Sequence, residues 1–263
     1  MSMKYISCNL IGPSESNYGL ANQLFQVATV LSYAIDNNLQ AVFPILHDTN
    51  RQGNYKNNIF RNLVLSSVDT SFTVYQEPSF KYSKIPTFES SVMFANSYFQ
   101  SEKYFSHNRN SILEILSPSE DHLDYITDKY GQVLKNSTSL HVRRGDYLNL
   151  KHAHSPLYET DYYPKALSKI STDSILVFSD DISWCKQNIN DPRISFVQNE
   201  EDYMDLYIMS MCDNNIIANS TFSWWGAWLN SNADKQVIAP SQWFGPSMNE
   251  PTEDLIPKDW IVI

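Results

Sequence analysis

This chain of 263 residues is poor in glycine, and its few glycines are scattered. Only seven occur, and they form neither GxGxxG nor GxxxxGK[ST]. A glycine-rich phosphate cradle of the common dinucleotide-binding or ATP-binding kind is therefore excluded. If a nucleotide binds, arginine side chains and a helix N-terminus must neutralise its phosphates instead.

Positive charge, cysteine and long apolar runs are also scarce. A net charge of −10 argues against binding to nucleic acid or to an anionic membrane. Three cysteines without a CxxC pair are typical of reduced thiols in a cytoplasm. No run approaches the roughly 18 apolar residues of a transmembrane helix, and the N-terminus lacks a signal-like pattern. We therefore expect a cytoplasmic protein with no transmembrane segment and no nucleic-acid partner.

Patterns that ligate metals are missing as well. No Asp-x-Asp triplet occurs, and His152-x-His154 has too few partners to make a zinc site. The sequence therefore predicts that no metal cofactor is needed.

What is present is an alternation of short apolar strands and amphipathic helices, which is typical of a parallel sheet covered on both faces. We predict an α/β fold with two Rossmann-like domains facing a cleft, the first over 1–125 and the second over 126–263. The opening unit is a strand at 5–11 and a helix at 22–37. In the second half, the predicted strands are 140–142, 175–178, 194–197, 215–218 and 236–239, and the helices are 161–170, 182–188, 200–211 and 222–230.

The most informative segment is His141-Val-Arg-Arg-Gly-Asp-Tyr147, which follows a β-prone run. Arg143 and Arg144 stand at a strand end that Gly145 breaks. Each guanidinium can bind two phosphate oxygens at once, so the pair indicates a diphosphate site. The alternative is that both arginines form ordinary surface ion pairs, which contribute little.

Two further segments lie where open α/β sheets place their ligands, at strand ends. In Asn219-Ser-Thr-Phe-Ser223, helix N–H groups and the hydroxyls of Ser220, Thr221 and Ser223 could bind an anion, or Ser220 or Thr221 could simply cap the helix. Asp180-Asp181 could contact a metal, a ribose or a base, or Asp181 could cap the next helix. Trp225 and Trp228 share a helix face and are predicted to pack in the core.

Five motifs occur in order along the chain, at 18–26, 97–105, 141–147, 178–181 and 217–228. Together they resemble the α-1,2-fucosyltransferases of glycosyltransferase family 11 over nearly the whole chain. The shortness of the chain and the missing membrane anchor favour a bacterial member over a Golgi one.

The resemblance implies a GT-B-like fold and an inverting, metal-independent transfer. L-Fucose would pass from GDP-fucose to the 2-hydroxyl of a terminal galactose on an oligosaccharide or polysaccharide. The partners would be GDP-fucose and that glycan, with at most a loose association with membrane-bound glycan assembly. The missing Asp-x-Asp triplet agrees with the absence of a metal in this family.

The resemblance also implies roles for individual residues. Arg143 and Arg144 would bind the diphosphate, and Arg143 would stabilise the charge that develops on the departing β-phosphate. Asn22 and Gln23 would line the cleft from the N-terminal side. Ala21 replaces the second glycine of the family's Gly-Leu-Gly-Asn-Gln motif, and left-handed backbone at this position would be strained. By the same resemblance, His141 would contact the nucleotide, and Ser220, Thr221, Phe222 and Ser223 would close around the phosphates and guanosine. Asp180 and Asn219, at strand ends, are further candidates for donor binding.

Three residues are candidates for the base that removes the acceptor proton. Asp146 ranks first as an essential residue, and His154 and Glu159 lie in the loop that follows. Pairing of Asp146 with an arginine would make it a poor base, and a well-developed sugar cation would need little base assistance. Two other functions stay open: transfer from GDP-fucose to a different acceptor position, and non-catalytic carbohydrate binding through the abundant aromatic residues.

Overall fold

The computed structural model describes residues 3–10, 19–45, 51–248 and 250–263, with the backbone alone for 51–53. Two compact units are present: Met1–Pro118 with Pro251–Pro257, and Ser119–Glu250 with Lys258–Ile263. The predicted boundary at 125/126 differs from this division because it falls inside the helix Glu120–Tyr130. That helix starts at a capping box, in which Ser119 and His122 satisfy each other's backbone N–H groups, and it belongs whole to the second unit.

The first unit is built on a parallel sheet with the strand order β2-β1-β4-β3. The strand β1 lies between β2 and β4, so the chain switches from one side of β1 to the other between β2 and β3. The strands are β1 (Tyr5–Cys8), β2 (Gln40–Ala41), β3 (Thr73–Tyr75) and β4 (Val92–Phe94), and the helices are α1 (Leu20–Asn37), α2 (Arg51–Asn57) and α3 (Arg109–Ile115), with 3₁₀ turns at Glu102–Tyr104 and Ser106–Asn108.

Helix α1 forms the main cover of this sheet. Its apolar stripe, which includes Leu24, Val27 and Leu31, is buried, and the helix ends at Asn38 in the left-handed conformation, where the backbone N–H bonds back to Ala34 and Ile35. Ala21 lies inside α1 rather than at a left-handed position. The left-handed backbone that would strain an alanine is therefore not adopted at Ala21, and helical backbone accepts alanine more readily than glycine.

The second unit carries a six-stranded parallel sheet with the order β10-β9-β8-β5-β6-β7. Counted from β5, this is the order 3-2-1-4-5-6 of dinucleotide-binding folds. The strands are β5 (Ser137–Val142), β6 (Ser174–Ser179), β7 (Ile194–Phe196), β8 (Asn214–Ile216), β9 (Val237–Ala239) and β10 (Ile261–Val262), and the helices are α4 (Glu120–Tyr130), α5 (Tyr162–Leu167), α6 (Ile182–Asn188), α7 (Asp202–Met211) and α8 (Thr221–Leu229).

Both faces of the central strand of the second sheet are covered, as in other parallel sheets, and Leu140 and Val142 contribute to the apolar cluster on one of them. Every residue of β5 is buried. On α8, Trp225 and Trp228 are almost fully enclosed, with ring centroids 5.2 Å apart, which confirms their assignment to the core. Large buried aromatic rings of this kind anchor α8 in the interior of the unit.

The strand order determines where a ligand site is expected. The chain runs from β5 to β6 and β7 on one side, then returns across β5 to place β8 on the other side. The crevice outside the carboxyl ends of β5 and β8 is therefore the topological switch point, where open α/β sheets bind ligands. Arg143 follows β5 directly, and Asn219 and Ser220 follow β8.

Candidate active site

His141 stands near the end of β5 with its side chain buried. Its Nδ1 lies 2.9 Å from Ser223 Oγ, and its ring centroid lies 5.6 Å from that of Phe222. Burial, with a smaller contribution from the charge of Arg143, lowers the pKa of His141 to about 3. His141 is therefore neutral at ordinary pH and joins the end of β5 to the start of α8 as a hydrogen-bonding group.

The first turn of α8 faces this crevice. Ser220 is the N-cap, and its hydroxyl accepts a hydrogen bond of 3.3 Å from the N–H of Phe222. The capping role of Ser220 is therefore confirmed, and it leaves the helix N-terminus in a position that favours an anion. Ser223 Oγ accepts from the N–H of Ala218 at 3.1 Å, and Thr221 is partly exposed on the same turn.

Asn219 has a different environment from the one the sequence suggested. Its side-chain amide donates to the carbonyls of Ser155 and Trp243, at 2.9 and 2.8 Å, and the residue is buried. Asn219 therefore fixes two loops beside the crevice, and its backbone carbonyl accepts a 3.0 Å hydrogen bond from the hydroxyl of Tyr147. Its position supports the site through these loops.

Arg143 projects from the end of β5 and is about one-third exposed. Its guanidinium lies 2.9 Å from Asp146 Oδ1 and 3.2 Å from Asp180 Oδ2, and it sits 5.6 Å from the ring centroid of Tyr147. The carboxylates raise the pKa of Arg143 even though burial opposes this effect. Arg143 is a charged group held in a defined orientation at the switch point.

Arg144 points into a separate environment. Its guanidinium pairs with Asp181 and lies over the rings of Tyr158 and Trp184, with centroid distances of 5.4 and 5.0 Å. Asp181 also caps α6 by accepting from the N–H of Trp184 at 3.0 Å, so the capping alternative for Asp181 is confirmed. Stacking and pairing of this kind anchor a guanidinium. The two neighbouring arginines thus have unlike surroundings.

Asp180 contacts both arginines and the glycine that follows them. One carboxylate oxygen accepts from the N–H of Arg144 at 2.9 Å, and the other faces Arg143. A Cβ at position 145 would come within 2.7 Å of Asp180 Oδ2, so this close approach requires Gly145. The sequence interpreted Gly145 as a strand breaker and did not predict its contact with Asp180.

The candidate bases lie in the same part of the second unit. Asp146 is about half exposed beside Arg143, and the His154 ring stacks on Tyr147 with centroids 4.1 Å apart and planes within 5°. Burial lowers the pKa of His154, against the opposing effect of Asp146, so the imidazole is neutral near pH 7. Glu159 pairs with Lys151. Tyr147, which contacts Arg143, His154 and Asn219, was not predicted as a site residue, although its position beside the arginines was a signal.

Asn22 and Gln23 belong to the first unit, in the opening turn of α1. Asn22 Oδ1 accepts a 3.0 Å hydrogen bond from the side-chain amide of Gln100, and Gln23 is buried. This pair lies at the carboxyl edge of the first sheet, beside its own strand-order switch between β1 and β4. It joins two of the sequence motifs, 18–26 and 97–105, in space.

Three further properties of the described residues bear on the chemistry. No three His, Cys, Asp or Glu side chains among them are grouped as metal ligands. Cys8, Cys185 and Cys212 are free thiols buried in the interior. Among the helices of the described ranges, none combines the length and apolar character needed to cross a bilayer.

The sequence matches the profile of glycosyl transferase family 11 over residues 15–263. It is 44% identical over 164 residues to the O-antigen biosynthesis glycosyltransferase WbnK of Escherichia coli, covering 56% of this chain and 54% of WbnK. It is 33% identical to an alpha-1,2-colitosyltransferase of Escherichia coli, covering 63% of this chain and 61% of that protein. A galactoside 2-alpha-L-fucosyltransferase of Caenorhabditis elegans is 27% identical, over 82% of this chain and 68% of its own length. The alignments thus span little more than half of the first two relatives.

Solved structures show the same fold. The fucosyltransferase NodZ from Bradyrhizobium superposes with a TM-score of 0.59 over 86% of this chain and 93% of its own, at 11% identity. A crystal structure of NodZ alpha-1,6-fucosyltransferase soaked with GDP-fucose gives a TM-score of 0.55 over 87% and 93% at 14% identity. The predicted GT-B-like class, with two Rossmann-like units, is therefore confirmed.

Proposed function

Because this chain belongs to glycosyltransferase family 11, we propose that it transfers L-fucose from GDP-fucose to the 2-hydroxyl of a terminal galactose. The product is an α-1,2 linkage on an oligosaccharide or polysaccharide. The reaction inverts the configuration at the sugar carbon and needs no metal ion. Likeness to a galactoside 2-alpha-L-fucosyltransferase supports the linkage, and likeness to a fold crystallised with GDP-fucose supports the donor.

The observation that carries this proposal is the convergence of Arg143, His141 and the first turn of α8 at the switch point of the second sheet. A guanidinium, a neutral imidazole and a helix N-terminus supply cationic and N–H groups at one place. This combination suits a diphosphate in a chain that has no glycine-rich cradle. The arrangement explains how an acidic protein can hold an anionic donor.

In the proposed reaction, the acceptor hydroxyl oxygen forms a bond to C1 of fucose while the bond from C1 to the β-phosphate oxygen breaks. The electron pair of that bond leaves with GDP, and Arg143 and the N-terminus of α8 stabilise the resulting charge. Fixed groups of this kind need no reorganisation at the moment of reaction. Arg144, which lies against the rings of Tyr158 and Trp184, keeps the turn in place and contributes its charge from a greater depth.

The proton of the acceptor hydroxyl goes to a base of the second unit or to water as the sugar cation forms. Neutral His154 can accept a proton, and the carboxylate of Asp146 can do so when it is not engaged by Arg143. Asn22 and Gln23 are proposed to contact the acceptor from the first unit. A cytoplasmic location belongs to the same proposal, which the free buried thiols support.

A second donor is favoured by one specific finding, the 33% identity to an alpha-1,2-colitosyltransferase. Colitose is 3-deoxy-L-fucose, so its GDP conjugate presents the same diphosphate and nucleoside. The donor-side groups described above would bind both conjugates alike, and discrimination would depend on contacts to the sugar 3-position. GDP-colitose is therefore the competing candidate.

The decisive experiment incubates the protein with GDP-fucose or GDP-colitose and a panel of β-galactosides, followed by linkage analysis of the product. We expect a fucosylated product with substitution at O2 of galactose, formed equally well after treatment with EDTA. Turnover with GDP-colitose but not with GDP-fucose would contradict the fucose assignment and identify GDP-colitose as the donor. A linkage to another position would contradict the α-1,2 assignment.

A binding assay separates catalysis from simple carbohydrate recognition. Galactoside binding without turnover of either donor, and without affinity for GDP, would favour the non-catalytic alternative. Loss of turnover in EDTA that Mn²⁺ restores would contradict the metal-independent mechanism.

A further inference from the structure

Arg143 is shared by two carboxylates whose settings are unequal. Asp146 Oδ1 lies 2.9 Å from the guanidinium and Asp180 Oδ2 lies 3.2 Å from it. The Asp146 side chain is 52% exposed, whereas that of Asp180 is 25% exposed. Water can therefore replace Asp146 on Arg143 at much lower cost than it can replace Asp180.

The fixed position of Asp180 has a clear structural cause. Its second oxygen accepts from the backbone N–H of Arg144 at 2.9 Å, and the carboxylate packs against the bare α-carbon of Gly145. A carboxylate held by a backbone donor and a close backbone contact has little freedom to move. Asp146, in contrast, begins a 3₁₀ turn and reaches Arg143 across an i,i+3 spacing at the surface.

The local charges make this difference important. Asp146, Asp180 and Asp181 surround Arg143 and Arg144, so three carboxylates face two guanidiniums. A diphosphate that approaches Arg143 meets a cation already neutralised by carboxylates. It must compete for the guanidinium, and it brings more negative charge and more acceptor oxygens than one carboxylate does.

We propose that Asp146 is a displaceable counter-ion: the diphosphate of the donor takes its place on Arg143, while Asp180 keeps the guanidinium aimed. This inference rests on the proposed function, since it assumes a nucleoside-diphosphate donor. It adds a role for Asp146 beyond that of a candidate base. By returning to Arg143, the carboxylate competes with GDP and accelerates release of the product nucleotide.

The test is calorimetric titration with GDP of the wild-type protein and two isosteric variants, Asp146→Asn and Asp180→Asn. Asp146→Asn removes the competitor, so we expect the affinity for GDP to rise at least about threefold. Asp180→Asn retains one acceptor for the Arg144 N–H but turns a donor toward Arg143, so the affinity should fall about tenfold. The proposed exchange predicts opposite changes in GDP affinity for the two variants, although both carboxylates contact the same guanidinium.

Three outcomes would overturn the inference. Weaker or unchanged GDP binding by Asp146→Asn would mean that Asp146 positions Arg143 rather than competing for it. Tighter binding of GDP by both variants would mean that the gain comes from a general loss of negative charge and not from the displacement of Asp146. A gain by Asp146→Asn for guanosine as large as that for GDP would show that the diphosphate is not involved.

A control and a second variant keep the test robust. Asp161→Asn removes a carboxylate that pairs with Lys165 on the surface, and it should leave the GDP affinity unchanged. Asp146→Ala must reproduce the gain seen with Asp146→Asn, and a loss would contradict the proposal even if Asp180→Asn failed to fold. If the wild-type protein bound no GDP at all, the proposed function itself would fall, which is a separate result.

Discussion

At the residue scale, the two adjacent arginines that follow β5 have different surroundings because their side chains point in different directions. Arg143 has exposed surface just beyond the end of β5, and Arg144 lies against the rings of Tyr158 and Trp184. Of these two identical residues, Arg143 therefore keeps surface that a ligand can reach, whereas Arg144 is committed to contacts within the protein.

Alanine substitution should separate the two roles. Arg143→Ala is expected to weaken GDP binding about 10- to 100-fold, the equivalent of roughly 1.5–3 kcal/mol for charged hydrogen bonds, with little change in thermal stability. Arg144→Ala removes the partner of Asp181 and two stacking contacts, so it should lower stability by about 1–3 kcal/mol. Calorimetry with GDP and thermal melting of both variants measure the two effects.

The prediction would be contradicted if Arg143→Ala melted earlier while retaining its affinity for GDP. A matched control is Arg193→Ala, which removes a guanidinium that pairs with Asp191 away from the switch point. It should leave the GDP affinity of the protein unchanged.

Much of the site could be predicted from residue chemistry, and some of it could not. The meeting of His141 and Arg143 with the Ser220–Ser223 turn was predictable, since each lies at or just after the carboxyl end of a strand in a parallel sheet. The burial of Arg144 and the contact of Asp180 with Gly145 were not, because they depend on side-chain direction and on close backbone approach. Tyr147 illustrates the same limit, since its hydroxyl partner lies far away in sequence.

At the element scale, the helices of the second half were predicted near their observed positions because strands and helices alternate regularly there, and α6 was predicted at its observed bounds, Ile182–Asn188. The strands β3 and β4 were missed. Each has three residues, too few for alternation to stand out in a segment rich in asparagine, serine and aromatics. The edge strand β10 has two residues and gave no signal either.

Helix α7 carries an acidic group whose burial has a measurable effect on stability. Burial, reinforced by Glu200 and Asp202, raises the pKa of Asp205 to about 8. The folded protein thus retains a proton that the unfolded chain releases near pH 4, and the free energy of unfolding must fall as the pH rises from about 4 to about 8. Asparagine resembles the protonated acid and cannot ionise.

We therefore expect Asp205→Asn to stabilise the protein by at least about 1.4 kcal/mol more at pH 8.5 than at pH 5, which corresponds to a single pKa unit. This figure is well below the full shift because Asp205 is partly exposed to water. Urea unfolding at both pH values gives the comparison. Asp128→Asn, at an exposed position of α4, should show no such pH-dependent gain. Equal effects at both pH values would argue against a buried proton on Asp205.

At the scale of the whole molecule, the C-terminal segment contributes to both units. Asp254, in the part that belongs to the first unit, pairs with Lys103 and accepts from the N–H of Tyr82 at 3.0 Å. Trp260, in the second unit, is buried against Trp224 with ring centroids 5.5 Å apart. The last residues of the chain therefore stabilise each unit through a different buried side chain.

The two units also differ in a way that makes ligand binding observable. All six tryptophans belong to the second unit: Trp184, Trp224, Trp225, Trp228, Trp243 and Trp260. Tryptophan fluorescence during urea unfolding therefore reports the second unit, while far-UV circular dichroism reports both. If the donor binds at the switch point of the second sheet, its free energy of binding must appear in the fluorescence transition.

GDP at a concentration of about 100 times its dissociation constant should stabilise that transition by about 2.7 kcal/mol. The same GDP concentration should give a much smaller shift with Arg143→Ala, because this variant lacks the group that holds the diphosphate. Guanosine at the same concentration serves as the control for binding without phosphates. A fluorescence transition that GDP leaves unmoved would contradict a donor site in the second unit, since a ligand that binds only the folded form must stabilise it.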